Sequence, residues 1–275
     1  MTGRSNAVLV TGTSSGIGAA VARELVLRGF RVFGTVRRAE DEANAHLAGV
    51  TPVRMDVTDL ASIARAQAHV LRLLDGGPLV GLVNNAGIAV AGPLELLPLE
   101  EIRAVLEVNV VGAVAVTQAF LPLLKAARGR IVNVSSVAAR IALPFMGPYA
   151  ASKCALEAIS DSLRRELRPF GVAVTVVQPG SIQSNIWKKV EAMDLSRYRG
   201  SPYASALTRF RELALRSGEA APPAARVAVA VARALTVRRP PIRMLVVDSR
   251  IGQMVAELLP VRWLDRLIAR RIVSG

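Results

Sequence analysis

The stretch Ala7-Val8-Leu9-Val10-Thr11-Gly12-Thr13-Ser14-Ser15-Gly16-Ile17-Gly18 decides the fold. Four apolar residues of buried-strand type run into a loop with three glycines, and a helical period through Ala22, Leu25 and Val26 follows. Strand, glycine loop and helix in that order make a cradle for an anion. Glycine permits the tight turn and close approach of the backbone, while the amides and the positive end of the following helix point at a diphosphate. The spacing is G-x-x-x-G-x-G rather than the G-x-G-x-x-G of the common dinucleotide fingerprint. Taken alone, the stretch also reads as a plain strand-to-helix turn.

Outward from this stretch the same alternation repeats. Strands are expected at Arg31 to Thr35, Thr51 to Met55, Val80 to Val83, Arg130 to Ser136, Ala173 to Val177 and Met244 to Val247. Helical periods separate them, including a run from Glu100 to Lys125 that is apolar around much of its circumference and carries Asn109. Alternation of this kind predicts an α/β Rossmann fold, a doubly wound, seven-stranded parallel sheet with helices on both faces. Nothing in the chain resembles an interdomain linker. One domain is expected over 1–275, with its core at about 7–184 and 222–250.

Composition narrows the function classes. The 275 residues are 52% hydrophobic but 4% aromatic, so the core is built from Val, Leu, Ile and Ala, as buried parallel strands require. The single cysteine, Cys154, excludes an internal disulfide, and His46 and His69 are too few to hold a metal with it. A net charge of +14 could attract nucleic acid or anionic lipid, yet the arginines are scattered and aromatics are too few for base stacking. The start of the chain does not read as a signal peptide, and the apolar region from Val108 to Leu124 is interrupted by Asn109, Gln118 and Pro122. A soluble, cytoplasmic protein without nucleic-acid partners is expected.

Chemistry gathers at the predicted strand ends. Tyr149 and Lys153 stand four residues apart at the start of a long helical period, so they share one face and can form a proton-handling pair. A nearby ammonium is expected to pull the phenol below its ordinary pKa of about 10. Ser135 and Ser136 end the fifth strand, and Asn84-Asn85-Ala86-Gly87 ends the fourth, the edge at which ligands sit in open α/β sheets. The second strand leads to Arg37-Arg38 where a carboxylate would hold a ribose 2′-hydroxyl. Arginine there can receive a 2′-phosphate, which favours NADP(H), with NAD(H) the alternative. Trp187, Tyr198, Tyr203 and Phe210 lie between Ile186 and Ser217, and the segment at about 185–221 reads as a substrate lid.

Taken together, the ordered set Thr11-Gly12-x-x-x-Gly16-Ile17-Gly18, Asp56-Val57, Asn84-Asn85-Ala86-Gly87, Asn109, Ser136, Tyr149-x-x-x-Lys153 and Pro179-Gly180 resembles the short-chain dehydrogenase/reductases. The chain looks most like the branch containing retinol, 17β-hydroxysteroid and 3-hydroxybutyrate dehydrogenases, through Gly81 to Ile88 and Asp161 to Val172. The resemblance implies that Tyr149 is the general acid or base, that Lys153 lowers its pKa and bonds the nicotinamide ribose, and that Ser136 holds the substrate oxygen. It implies that Asn109 holds a water linking Lys153 to solvent. For the cofactor it implies Gly12, Ser14, Ser15, Gly16, Ile17 and Gly18 around the phosphates and Arg37 at the 2′-phosphate. Asp56 would contact the adenine, Asn85 would help seat the adenosine ribose and Ile182 and Ser184 would border the nicotinamide, with Val57, Ala86, Gly87, Pro179 and Gly180 also at the cofactor. Two departures stand out: Val80 and Val36 occupy positions where many relatives, respectively many NAD-using relatives, have Asp.

The expected activity is therefore hydride transfer between NADP(H) and a hydrophobic secondary alcohol or ketone, steroid-, retinoid- or lipid-like. Ile141-Ala142-Leu143-Pro144-Phe145-Met146 supports an apolar pocket, although core packing explains the same residues. The contrasting reading is a non-catalytic nucleotide-binding sensor. Family habit implies a homodimer or homotetramer. In the tail, at about 258–275, Trp263, Leu264, Leu267 and Ile268 form an apolar stripe flanked by Arg262, Arg266, Arg270 and Arg271. Packing on the lid or a second subunit is the favoured explanation, and contact with an anionic membrane is the other.

Overall fold

In the computed structural model, which describes residues 6–47, 49–183 and 194–273, strands and helices alternate along the chain. The strands are β1 Ala7–Val10, β2 Arg31–Val36, β3 Thr51–Arg54, β4 Leu79–Asn84, β5 Arg130–Val134, β6 Ala173–Pro179 and β7 Arg243–Val246. The helices are α1 Gly16–Leu27, α2 Glu42–Leu47, α3 Leu60–Leu74, α4 Leu99–Leu106, α5 Gly112–Ala126, α6 Gly147–Glu166, α7 Ala204–Glu219, α8 Ala225–Thr236, α9 Arg250–Leu258 and α10 Val261–Ile268. All seven strands are parallel, in the order β3-β2-β1-β4-β5-β6-β7. The order reverses between β1 and β4, and at such a switch point the loops leaving the two strands diverge and open a crevice.

Alternation of side chains along each strand feeds two cores. On β1, Val8 and Val10 face α1 and α8 with Val21, Leu25, Val227 and Val231, while Ala7 and Leu9 face α3 and α5 with Ile63, Val70, Val116 and Phe120. Both faces of the sheet are thus dry, which is why the strands read as near-continuous apolar runs.

The long run after β4 forms the helix expected from Glu100 to Lys125. Helix continues from Leu99 to Ala126 straight through Pro122, with a π-helical turn at Glu107–Val111. An interior proline costs about 3 kcal/mol. Phe120 and Leu124 on either side of it are fully buried, and each such burial contributes about 1.5–3 kcal/mol, so packing outweighs the break. The continuous helix is 28 residues long with a mean hydropathy of 1.7, long and apolar enough to cross a membrane by length and composition. In this fold it packs on β4, α3 and α6.

Helix α6 starts with Pro148 in its first turn, where no amide donor is lost. It ends at Glu166, ahead of a 3₁₀ turn at Arg168–Phe170 that Gly171 closes at φ 71°. The expected stripe of Trp263, Leu264, Leu267 and Ile268 lies on one helix, α10, which Leu259-Pro260 separates from α9 and which a π-helical turn at Ala269–Val273 follows.

Candidate active site

The glycine loop is closed on itself before any ligand is considered. Gly12 and Gly16 have φ of 71° and 59°, and a Cβ on Gly18 would overlap Gly12 O and Asn85 Nδ2. Thr11 Oγ1 accepts the amides of Asn85 and Ala86 at 2.9 Å each, and Asn85 Nδ2 donates to Thr11 O and Gly12 O at 2.9 and 3.1 Å. Both Asn85 amide hydrogens therefore shape the loop. Its Oδ1 remains for the adenosine ribose that the resemblance implies. Ser15 starts α1 without a side-chain cap, and no acidic residue stands in the first turn, so the first amides of α1 point unblocked into the cradle. The loop fits a dinucleotide diphosphate.

At the far side of the cradle the two arginines have different fates. Arg38 is held by Asp41 at 3.2 Å and by Glu40 at 3.5 Å, whereas Arg37 is exposed and makes no ion pair among the described residues. Asp56 lies near enough to feel it. The Asp56 carboxyl sits below its ordinary range first because Thr58 N and Oγ1 bond it at 2.9 and 2.7 Å, with the Arg37 charge a smaller cause. Val57 packs on Gly112, where a Cβ would meet Val57 O at 2.8 Å.

Gly87 joins the cradle to the proton-handling pair. A Cβ there would come 3.2 Å from Asn109 Oδ1 and 3.7 Å from Lys153 Nζ. Lys153 is buried, donates to Val134 O at 2.9 Å, and lies with Nζ 5.6 Å from the centre of the Tyr149 ring. Burial lowers its pKa from 10.5 to about 8. Tyr149 is half-buried by area, but its hydroxyl lies in the dry floor of the site, and burial raises its pKa above 10.0 while a hydrogen bond with Ser136 partly opposes this. The expectation that Lys153 pulls Tyr149 down is thus reversed in the isolated chain, because desolvation of the phenolate is the larger cause. Ser136 Oγ accepts Ala138 N at 3.1 Å and faces the Tyr149 hydroxyl.

Asn109 sits in the π-helical turn and is buried. Its amide donates to Ile88 O and Ser152 Oγ at 2.9 Å each, and its oxygen accepts Ile88 N at 2.8 Å. A widened turn is a common device at working sites, and here it delivers the amide to the loop after β4. Only one lone pair on Oδ1 is left for a water, so the side chain is first a clamp on Ile88.

Of the remaining expected residues, Gly180 donates to Val246 O at 2.9 Å at the end of β6, and Ile182 is buried beside it. Ser184 lies outside the described residues, as does the first part of the expected lid. The rest of the lid is anchored. Arg197 grips Glu101 at 2.6 Å, Tyr203 Oη donates to Glu95 at 2.6 Å, and Phe145 meets the Tyr203 and Phe210 rings edge-on at 6.4 and 5.7 Å. Phe145 itself has φ 68°, a strained backbone for a bulky residue, in the loop that leads to Tyr149. Exposed Leu94, Leu96 and Leu143 rim this region.

A residue absent from the sequence reading is Glu157, buried one turn beyond Lys153 on α6. It accepts Ser135 Oγ at 2.9 Å, Gln178 Nε2 at 2.7 Å and Arg243 Nε at 3.1 Å, tying the ends of β5, β6 and β7 to the helix that carries Tyr149. The i+4 step from Tyr149 to Lys153 to Glu157 was its signal. Glu157→Leu leaves buried Gln178 Nε2 and Ser135 Oγ without this partner at about 1–3 kcal/mol for an unsatisfied buried group, while the partly exposed Arg243 keeps Asp161. Thermal melting should show a drop of several degrees, and an unchanged melting point would remove Glu157 from this role.

The family model described as short chain dehydrogenase matches residues 6–195 of the chain. The NADPH-dependent 3-dehydrocapnine reductase of Ornithobacterium rhinotracheale is 34% identical over 268 residues, covering 94% of each protein. Retinol dehydrogenase 16 of Homo sapiens is 43% identical over 190 residues, which are 68% of this chain and 60% of that protein. A solved short chain dehydrogenase from Burkholderia cenocepacia J2315 in complex with NADP has a TM-score of 0.72 and 28% identity, covering 98% of both chains.

Proposed function

The chain belongs to the short chain dehydrogenase family of oxidoreductases, and from that premise we propose that it transfers a hydride between NADP(H) and a hydrophobic secondary alcohol or ketone, with Tyr149 as general acid and base. The observation that carries this is the convergence of Ser136, Tyr149 and Lys153 on one dry floor that touches the glycine cradle through Gly87. The relative described as NADPH-dependent and the NADP-bound neighbour support the cofactor. The diphosphate is assigned to Gly12 through Gly18 and the 2′-phosphate to Arg37. The nicotinamide, when bound, supplies the hydride.

In the direction of reduction, Tyr149 protonates the carbonyl oxygen while the Ser136 hydroxyl donates a second hydrogen bond to it and stabilises its developing charge. Tyr149 is suited to this, because burial keeps it protonated near neutral pH. Lys153, at about 8, both holds and releases a proton in that range and can restore the one that Tyr149 gives up. Oxidation runs the same contacts in reverse and needs the phenolate, so alcohol oxidation should climb with pH where ketone reduction does not.

The hydrophobic class rests on Phe145, Leu94, Leu96 and Leu143 about the mouth. A steroid-, retinoid- or lipid-like ketone fits such a rim; its identity is a matter for a substrate panel. Charge-assisted bonds contribute about 1.5–3 kcal/mol, so Arg37→Ala should weaken NADPH about 10- to 100-fold while leaving NADH nearly unchanged. Titration of both nucleotides into the two proteins reads this directly. Tighter binding of NADH than NADPH, with no effect of the substitution, would make NAD(H) the cofactor.

A further inference from the structure

Helix α9 is built inside out. Ile251, Met254, Val255 and Leu258 fall on one face by their i, i+3, i+4, i+7 spacing, and they are 72, 55, 51 and 76% exposed, whereas Gln253 and Ala256 on the opposite face are half-buried. Helix α10 adds Trp263 and Leu267, one turn apart on one face and 60 and 51% exposed, with Val261 at its start 71% exposed. An apolar stripe this long is not left in water without a reason, because each such side chain forgoes the stabilisation that burial supplies elsewhere.

Charge decides what covers it. From Val261 to Val273 the chain has Arg262, Arg266, Arg270 and Arg271 against Asp265 alone. None of these four arginines makes an ion pair among the described residues, although Arg140, Arg197, Arg226 and Arg243 elsewhere all do. A second copy of a chain with net charge +14 would set these arginines near their own kind. A polyanionic nucleic acid would answer the charge and leave the apolar stripe wet. A surface that is anionic outside and apolar within satisfies both, with Trp263 at the boundary where an indole is at home.

We propose that α9 and α10 form an interfacial element that docks this protein on an anionic lipid bilayer. The element sits beside the mouth of the site. Helix α9 begins just after β7, at the same edge of the sheet as Tyr149, and Glu257 on it pairs with Arg140 of the loop between Ser136 and Tyr149 at 3.6 Å. The end of the tail is tied to α7, whose Arg209 donates to Ile272 O and Val273 O at 3.1 and 2.9 Å. Docking by this face brings the rim of the site to the bilayer, from which a lipid-like substrate can enter. That last link rests on the proposed function, whereas the docking does not.

The test is sedimentation of the whole protein with phosphatidylcholine vesicles, with and without about a third phosphatidylglycerol, at low and high salt. Wild type should bind the anionic vesicles, lose most of that binding at high salt, and shift Trp263 emission to the blue in a Trp187→Phe background. The double variant Ile251→Asp with Leu258→Asp, and the triple variant Arg262→Glu, Arg266→Glu and Arg270→Glu, should each bind at least about tenfold more weakly. Both should keep wild-type turnover of a water-soluble ketone with NADPH, which certifies their folding. If wild type ignores anionic vesicles, the proposal is overturned. It is equally overturned if the double variant binds as wild type does, or if wild type is a dimer that this variant splits, since a second copy would then be the cover. Absence of turnover in every protein, with vesicle binding intact, would count against the proposed reaction and not against the docking.

Discussion

Replacing Tyr149 by Phe is expected to lower turnover by about 10²- to 10⁴-fold, the range that a positioned general acid contributes, while NADPH affinity and the melting point stay near wild type. The substitution keeps the ring, whose centre lies 5.6 Å from the Lys153 ammonium, and deletes the hydroxyl that Ser136 faces. Loss of that one neutral hydrogen bond costs about 1 kcal/mol, too little to unfold the chain. The comparison is therefore between chemistry and binding: steady-state turnover of a hydrophobic ketone on one side, NADPH titration on the other. Turnover that survives in Tyr149→Phe would assign the proton to another donor. No turnover in either protein, with NADPH still bound, would point to the sensor reading.

The second large effect concerns Lys153, and it has opposite signs for activity and stability. Lys153→Met should abolish turnover and at the same time raise the stability of the protein without nucleotide. Lowering the lysine from 10.5 to about 8 in the fold amounts to about 3 kcal/mol of penalty on the charged form. A methionine of similar length escapes it, giving back about 1 kcal/mol for the lost bond to Val134 O. The remaining gain of about 2 kcal/mol is worth several degrees of melting temperature in a chain of this size.

The pH dependence follows from linkage. The unfolded chain binds this proton up to about 10.5 and the folded chain only up to about 8, so stability rises with pH between those values. Below about 8 the penalty is present in full. The difference in melting point between Lys153→Met and wild type should accordingly be largest near neutral pH and shrink towards pH ~9.5. Higher pH confuses the reading, because Tyr149, raised above 10.0, then contributes with the opposite sign. A difference that is constant with pH would mean that Lys153 is not desolvated in the fold. Storing strain of this kind at a working site is the ordinary exchange of stability for activity.

Much of the fold was legible because local rules and the tertiary outcome agree. The apolar run of β1, the glycines after it and the period of α1 each have one low-energy interpretation, and Gly12 at φ 71° is the conformation that glycine permits most readily. Strand ends moved by a residue or two. The helix read through Pro122 forms because burial of Phe120 and Leu124 on either side absorbs the proline, and the stripe of Trp263, Leu264, Leu267 and Ile268 falls on one helix, after Pro260.

The site was legible in its members and not in its connections. Tyr149 and Lys153 were readable because an i+4 step puts two side chains on one face whatever surrounds the helix. Glu157 was not singled out, since its partners Ser135, Gln178 and Arg243 come from three strands that meet it only when the sheet is assembled. The direction of the Tyr149 shift lay beyond reach for the same reason: a neighbour's charge can be inferred from spacing, but desolvation depends on everything packed around the oxygen.

By itself the sequence determined the alternation of strand and helix, the anion cradle and the proton-handling pair, all of which depend on residues within a few positions of one another. The tertiary structure alone decided that Asn85 and Asn109 act first as clamps, that Arg37 rather than Arg38 is left unpaired, and that the apolar face of α9 looks outward. Those outcomes turn on which polar group or apolar face finds a partner after folding, and partners arrive from distant parts of the chain.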